Sequence, residues 1–458
     1  MRTGRVAVVG GGLAGLAAAL ECADSGAEVT LLEARSRLGG ATFSVWRKDH
    51  WIDNGQHVFM RVCSAYLGFL DRIGSAGLVS IQPSLRVPIL CEGRRPALIA
   101  RSSILPVPFH LLATLLRYRP LAPGERLAVV RAASSLRRLD PNDPALDELS
   151  FAEWLEVRGQ SERASSGLWE LIVLATLNLP LDEVSLAAAV KVLRTALLDS
   201  RSGGDIGMAT VPLQELHGEA AARALGRAGV HVSLSSPVRA IGRVGEGLRV
   251  ELDGRSIETD AVICAVPHHV VAALVPDEAV DRGALERLGT SPIINLHLHY
   301  DRAVLRMPLA AALDSPVQWL FDASARSKVE RGQLLTLSIS AARSVIRAPL
   351  REIHGRYLPA LERLLPEARK AKLLDLAVSR EPRATFRVAP GSAKLRPPQR
   401  TAVEGLYLAG AWTDTGWPAT MEGAVRSGLA AARAALDDLG VRSSAESCVV
   451  ADAEEVRR

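Results

Sequence analysis

The sequence predicts an α/β protein: a Rossmann-like nucleotide-binding domain built from discontinuous segments, with an inserted α+β domain between them. Three observations predict it. A strand–helix–strand pattern opens the chain, with glycines where the first strand meets the helix. The middle runs through arginine-rich helical patterns and then strand patterns. A short apolar strand, a glycine-rich turn and a last helix close the pattern.

In order, Arg5 to Val9 read as a buried strand, Leu13 to Ser25 as a helix and Ala27 to Leu32 as a second strand, a βαβ unit. A Gly39-Gly40 turn follows, and Phe43 to Trp51 is strand-like. From Pro83 to Ser200, apolar helical patterns broken by prolines are expected to dominate. Strands are expected at Val230 to Ser233, Val238 to Ile241, Leu248 to Leu252, Ala261 to Ala265, Ile293 to Tyr300 and Leu334 to Ser340. Pro349 to Leu365 reads as a helix, Leu406 to Ala409 as a strand and Met421 to Leu439 as the last helix. This order assigns 1–80, 205–285 and 385–440 to the nucleotide domain. It assigns 81–204 and 286–384 to a substrate domain and 441–458 to a flexible, polar tail.

With 458 residues, 48% hydrophobic and 23% charged, the chain is long enough for two or three cores and too apolar for disorder. The net charge of +5 rests almost wholly on arginine, since lysine occurs only at 48, 191, 328, 370, 372 and 394. The cysteines (Cys22, Cys63, Cys91, Cys264 and Cys448) are odd in number, widely spaced and free of any CxxC pair. They predict neither a disulfide framework nor a structural metal, and suit a reducing cytoplasm. The N-terminal apolar run is broken by glycines and reads as a folded element, not an export signal. No segment has the length and apolar character of a spanning helix.

Gly10, Gly12 and Gly15 form G-x-G-x-x-G between a strand and a helix. The first glycine permits the tight turn, the second lets the backbone approach a pyrophosphate, and the third lets the helix, from Leu13 and Ala14 onward, pack on the sheet. Helix N-terminal amides then face the anion. Glu33 ends the second strand, where a carboxylate can bond ribose hydroxyls and disfavours a 2′-phosphate.

Glu33-Ala34-Arg35-Ser36-Arg37-Leu38-Gly39-Gly40 resembles the E-x-x-x-R-x-G-G extension of the flavin amine oxidase and phytoene desaturase superfamily. The resemblance implies FAD, with Glu33, Ala34, Arg37, Gly39 and Gly40 along it. Gly405 to Gly410 and Thr413 to Gly428 resemble the second flavin motif of that superfamily. There a helix begins under the flavin ring, with Ala419, Thr420 and Met421 at its start, and either Thr420 or Met421 supplying an amide. Its positive end favours the anionic reduced ring. Where the superfamily has an arginine after the glycine pair this chain has Ala41. Where it has a carboxylate after Gly410 it has Ala411, and Asp414 is expected to substitute. Ser236 to Ile241 resembles the segment whose valine, here Val238, touches the adenine.

Asp53-Asn54-Gly55-Gln56-His57, Ala175 to Pro180, Ser291 to Tyr300, Ser315 to Asp322 and Trp412 to Gly416 together resemble the hydroxysqualene dehydroxylases, FAD-dependent enzymes of bacterial hopanoid pathways. The resemblance implies reductive removal of an allylic hydroxyl from a hydrophobic isoprenoid, by an electron donor the sequence does not identify. It requires a hydride source, a group that helps water leave, and a dry tunnel. Asp53 or His57 is the expected catalytic group. Other readings are a carotenoid (phytoene-type) desaturase, a flavin amine oxidase, and a non-catalytic FAD-stabilised partner of a prenyl synthase. An aromatic fraction of 4%, with no evident aromatic cage, argues against amines. His297 and His299 alternate on one strand face without a third ligand, so no metal is expected. His268 and His269 are expected in a loop.

Residues 94–138 hold nine arginines and one acid, Glu125, interleaved with Ile104, Leu105, Phe109 and several leucines. Such a stretch suits an anionic bilayer, at the inner face of the plasma membrane. Phe109 and Tyr118 are its only aromatics, too few to stack bases along it, which argues against nucleic acid.

Overall fold

The computed structural model describes residues 4–245 and 247–441; the tail expected over 441–458, Val441 apart, and with it Cys448, lies outside them. Strand Arg5–Val9 is buried from Val6 onward, so it must be covered on both faces, as a central parallel strand is. It occupies the middle of a five-stranded parallel sheet in the order His231–Ser233, Glu28–Leu32, Arg5–Val9, Ala261–Cys264, Leu406–Leu408. Three distant stretches of chain thus share one sheet.

The helices from the two ends pack on each other over this sheet. Helix Leu13–Asp24 and helix Met421–Asp438 are both rich in buried alanine, which brings the backbones close. A Cβ on Gly428 would come within 2.1 Å of the Ala14 carbonyl oxygen, so only glycine fits this crossing.

A seven-stranded sheet forms the second body, ordered Leu373–Phe386, Thr290–Tyr300, Gln333–Ile339, Trp319–Asp322, Leu309–Leu313, Arg86–Cys91, Ala97–Ala100. One face, with Ile294, Leu296, Leu298, Leu335 and Leu337, packs on helix Leu350–Leu364 through Ile353, Tyr357 and Leu361. Asn295, His297 and His299 alternate onto the other face. Helices between residues 112 and 193 cover its far end, in one core cluster with Val87, Ile89, Leu309 and Phe321.

Several expectations need correction. Helices dominate from Pro83 to Ser200 as expected, but Arg86–Cys91 and Ala97–Ala100 form an unforeseen hairpin joined to the sheet. Pro88 disguised the first of these strands, because proline is unusual inside a ladder. The strand Leu373–Phe386 was not expected. It lies at a sheet edge, where Pro382 is tolerated, and its charged residues hide its alternation. Phe43 to Trp51 is a hairpin, Ser44–Arg47 against His50–Asp53, turning at Lys48 with φ +54°. His268 and His269 begin a short helix, His268–Val271, and are not in a loop.

Candidate active site

The first glycine loop separates fold requirements from ligand requirements. Gly10 has φ +109°, and a Cβ there would lie 2.6 Å from the Ala265 carbonyl oxygen. A Cβ on Gly15 would lie 1.9 Å from the Gly10 carbonyl oxygen. At Gly12 a Cβ would meet only the Gly40 Cα, at 3.7 Å. The protein itself therefore leaves a Cβ at Gly12 uncrowded, on the face where a pyrophosphate would approach. Helix Leu13–Asp24 begins there, its first turn including buried Leu13 and Ala14, with no side-chain cap and no acidic residue. Its free N–H groups suit an anion.

The second glycine turn lies on the first. Gly39 donates its N–H to the Gly11 carbonyl at 2.9 Å, and a Cβ on Gly40 would lie 2.7 Å from the Gly12 Cα. Glu33 is buried; its Oε2 accepts the Gly11 N–H at 2.6 Å and its Oε1 the Arg35 N–H at 2.8 Å. Ser236 donates to the Glu33 carbonyl at 2.9 Å, which draws the chain leading to Val238 alongside exposed Ala34. Arg37 lies over the Phe43 ring at 3.5 Å and donates to the Gly40 carbonyl at 3.1 Å. Partial burial, reinforced by Arg35, lowers its pKa.

At the other end of the chain, Gly410 has φ +142° and donates its N–H to Ser427 Oγ at 2.9 Å. Arg396 holds the turn that follows, donating to the carbonyls of Ala411 at 3.1 Å and Thr413 at 2.5 Å. Burial pulls its pKa down to about 10. Half-buried Ala419 leads to Thr420, whose Oγ1 accepts the Gly423 N–H at 3.0 Å and caps the helix beginning at Met421. Asp414, expected to take the place of the carboxylate missing at Ala411, is exposed and accepts the Gly416 N–H at 3.3 Å. Glu422 is buried and accepts the N–H groups of Ala65 and Tyr66, at 3.2 and 2.7 Å, while Arg426 donates to it at 2.6 Å.

Between these ends lies the Asp53–His57 segment. Asp53 is fully engaged: Oδ1 accepts from Ser44 Oγ at 2.6 Å and the Leu213 N–H at 3.1 Å, and Oδ2 from Arg326 Nε at 3.1 Å. Three donors, one of them a buried guanidinium, thus hold this carboxylate in place. His57 Nδ1 lies 3.1 Å from the Gly55 carbonyl. A carbonyl only accepts, so Nδ1 carries the proton and Nε2 is the free nitrogen. Burial lowers the pKa of this imidazole, against the Gly55 carbonyl, Asp53 and Glu381. At neutral pH it is the neutral form, with a lone pair on Nε2.

His57 neighbours His217, which burial and the nearby His57 pull down to about 3. The adjoining Gly218 abuts the second glycine turn, where its Cβ would lie 3.0 Å from the Leu38 carbonyl oxygen. The fold therefore connects His57 to the glycine turns through one helical segment, Gln214–Glu219. His297 is spent on Thr336 at 3.2 Å and Ser379 at 3.1 Å, and His299 on the Arg331 carbonyl at 2.8 Å. Among the described residues no cluster of three or more His, Cys, Asp and Glu side chains could hold a metal.

Sequence reasoning missed Arg326, Arg396 and His217, and singled out Asn295 only as part of the Ser291 to Tyr300 segment. Glu422 stood inside a quoted motif, but its role at the far helix had no local signal.

A parallel sheet ending in two interlocked glycine turns, with the opening helix packed on a capped C-terminal helix, defines a dinucleotide-binding flavoprotein. The room left at Gly12 fits a pyrophosphate, and Glu33 fits the adenosine end. Residues 13–436 match the family described as flavin containing amine oxidoreductase, and the chain belongs to it. It is an FAD-dependent oxidoreductase. It is 29% identical to a hydroxysqualene dehydroxylase of Sinorhizobium fredii, over 94% of this chain and 98% of that protein. It is 27% identical to the 15-cis-phytoene desaturase of Arabidopsis thaliana, over 95% of this chain and 80% of that one. In fold it resembles the cyclohexylamine oxidase of Brevibacterium oxydans, with TM-score 0.73 and 20% identity over 96% of this chain and all of the other.

Proposed function

We propose that this protein removes the hydroxyl of hydroxysqualene reductively, giving squalene. The carrying observation is His57, an imidazole whose Nδ1 is tied to the Gly55 carbonyl and whose Nε2 is free. The full-length similarity to a hydroxysqualene dehydroxylase supports the same reading. Bound in its reduced state, FAD supplies the hydride. The substrate C–O bond breaks, hydride joins the carbon, and the oxygen leaves as water after taking one proton. The minor protonated form of His57, recharged from solvent, gives that proton from Nε2 to the departing oxygen and returns to the neutral ring. In its neutral form it accepts a hydrogen bond from the substrate hydroxyl and orients it. Asp53 holds the segment rather than reacting. The glycine loops, Glu33, Arg37 and the start of helix Met421–Asp438 hold the cofactor.

Residues 1–80, 205–285 and 385–440 then bind FAD, and 81–204 with 286–384 receive an isoprenoid. No helix among the described residues is long and apolar enough to cross a membrane. The surface around Ile104, Phe109 and Leu116, which are 85%, 54% and 52% exposed, docks on an anionic bilayer from the cytoplasmic side. Arg117 and Arg119 beside it are also exposed.

One observation favours a second reading. The neutral His57 lone pair suits a base, which phytoene-type desaturation would use, and the similarity to a phytoene desaturase agrees. Anaerobic incubation of reduced holoprotein with hydroxysqualene decides: squalene is expected. Turnover of phytoene by oxidised holoprotein, without squalene formation, selects the second reading, and inertness toward both removes the two together.

A further inference from the structure

Arg326 sits in the turn between strands Trp319–Asp322 and Gln333–Ile339 of the inserted sheet, yet its side chain is only 6% exposed. It reaches across to the nucleotide-binding body. Nε donates to Asp53 Oδ2 at 3.1 Å, and a terminal nitrogen makes a short hydrogen bond to Gln56 Oε1. A second contact from the same sheet completes the grip: Asn295 Oδ1 accepts the Gln56 N–H at 3.4 Å. The neighbouring Ser327 carbonyl accepts the Trp51 N–H at 2.9 Å. Asp53 and Gln56 bracket Gly55, whose carbonyl fixes the ring of His57.

The geometry points to Arg326 as a positioning residue for His57: its fork ties both ends of the Asp53–Gln56 turn to the inserted sheet and so fixes where Nε2 stands. A planar fork suits this task, because it spans two acceptors that a single ammonium cannot hold together. The charged and titratable groups around His57 are Asp53, Glu381 on the edge strand, Arg326 itself and His217. Arg326 and Asp53 act on the imidazole with opposite signs. The inference rests on His57 being the group that serves the reaction, and its test separates the two.

Holoprotein is titrated across pH while the visible absorption of bound FAD is followed. A step that vanishes in His57→Asn reports His57. Arg326→Met removes a cation and is expected to move that step to higher pH; Asp53→Asn removes an anion and is expected to move it lower. Unfolding damage would not produce opposite shifts. Arg326→Lys keeps the charge and loses the fork. It is expected to leave the step near its wild-type pH while lowering kcat about tenfold, with KM changed less than about twofold. Should Arg326→Met fail to fold, the lysine variant decides alone. Absence of the wild-type step, shifts in one direction, or an unaltered kcat in Arg326→Lys overturns the inference. Intact titration behaviour in a protein that forms no squalene would instead sink the proposed reaction and leave the clamp standing, with kcat then read on whichever substrate turns over.

Discussion

The Glu33 carboxylate accepts the Gly11 N–H at 2.6 Å, joining the end of the second strand to the middle of the glycine loop. One acid thus shapes the loop and, in the proposed binding of FAD, also meets the nucleoside end. Its other oxygen takes the Arg35 N–H. Glu33→Ala leaves two backbone donors without acceptors, at about 1–3 kcal/mol each if they stay buried. The expected outcome is a loss of about 2 kcal/mol in urea unfolding and at least a tenfold weaker FAD affinity. Titration of apoprotein with FAD checks the second point, and unchanged affinity would show that the carboxylate serves only the loop.

Two glycines of one motif should fail in different ways. Gly15→Ala places a Cβ 1.9 Å from the Gly10 carbonyl oxygen, which the backbone cannot accommodate without moving helix Leu13–Asp24 off the sheet. Poor expression or a strongly lowered melting temperature is expected. Gly12→Ala meets nothing closer than 3.7 Å, so the apoprotein should melt within a few degrees of wild type. Its cofactor affinity should nevertheless fall at least tenfold, since the methyl group occupies the approach to the pyrophosphate. A Gly12→Ala protein that purifies fully yellow would move the phosphate site elsewhere.

How much of this was legible in the sequence depended on range. Strand Arg5–Val9 and helix Leu13–Asp24 announce themselves by an apolar run and by glycines whose spacing obeys local sterics. Helix Met421–Asp438 is legible for the same reason. Arg326 is not: its partner Asp53 lies 273 residues away, and no periodicity marks either residue. Glu422 caps a helix start 356 residues distant, a contact that exists only after the two chain ends have met. Edge strand Leu373–Phe386 was hidden for a different reason, since only its pairing with Thr290–Tyr300 makes a sequence with Arg380, Glu381 and Pro382 extended. Asp414 was legible as a polar residue near the flavin motif, but its bond to the Gly416 N–H was not.

Acid should destabilise the protein through its buried histidines. Burial pulls His217 and His297 down to about 3 and His268 to about 4, from the ordinary 6.5. A histidine with a depressed native pKa binds its proton preferentially in the unfolded chain. Stability from these groups is therefore full above about pH 6.5 and falls as the pH drops towards 3–4. Each contributes up to about 1.4 kcal/mol per pH unit within that window. His217 is also hydrogen-bonded through Nε2 to the Tyr66 hydroxyl at 2.7 Å. His217→Gln should lower stability at pH 8 and flatten its decline between pH 6 and 4. Urea unfolding at a series of pH values reads both, and an unaltered slope in this variant would mean that His217 does not titrate on unfolding.

The surface from Ile104 to Leu116 joins the outside of the protein to its interior. Its outer side exposes Ile104, Phe109 and Leu116, while Leu111 and Leu115 pack inward on the core cluster that also takes in Trp319 of the large sheet. Glu125, the one acid within residues 94–138, is occupied by the Ala122 N–H at 2.7 Å and Ser161 Oγ at 2.6 Å, while Asp205 pairs with Arg101 at 2.7 Å and Asp199 with Arg137 at 3.7 Å. Apolar groups entering lipid and arginines at the headgroups should give binding that needs both. Wild-type protein is expected to sediment with vesicles containing phosphatidylglycerol, less with pure phosphatidylcholine, and less again in high salt, which screens exposed charge. Ile104→Glu and Phe109→Glu each remove an apolar contact worth about 1.5–3 kcal/mol when buried, so each should weaken vesicle binding about tenfold or more. Neither side chain belongs to the cofactor site, and turnover of detergent-dispersed substrate should persist. Binding that ignores salt, lipid charge and both substitutions would place the route of the isoprenoid somewhere other than this face.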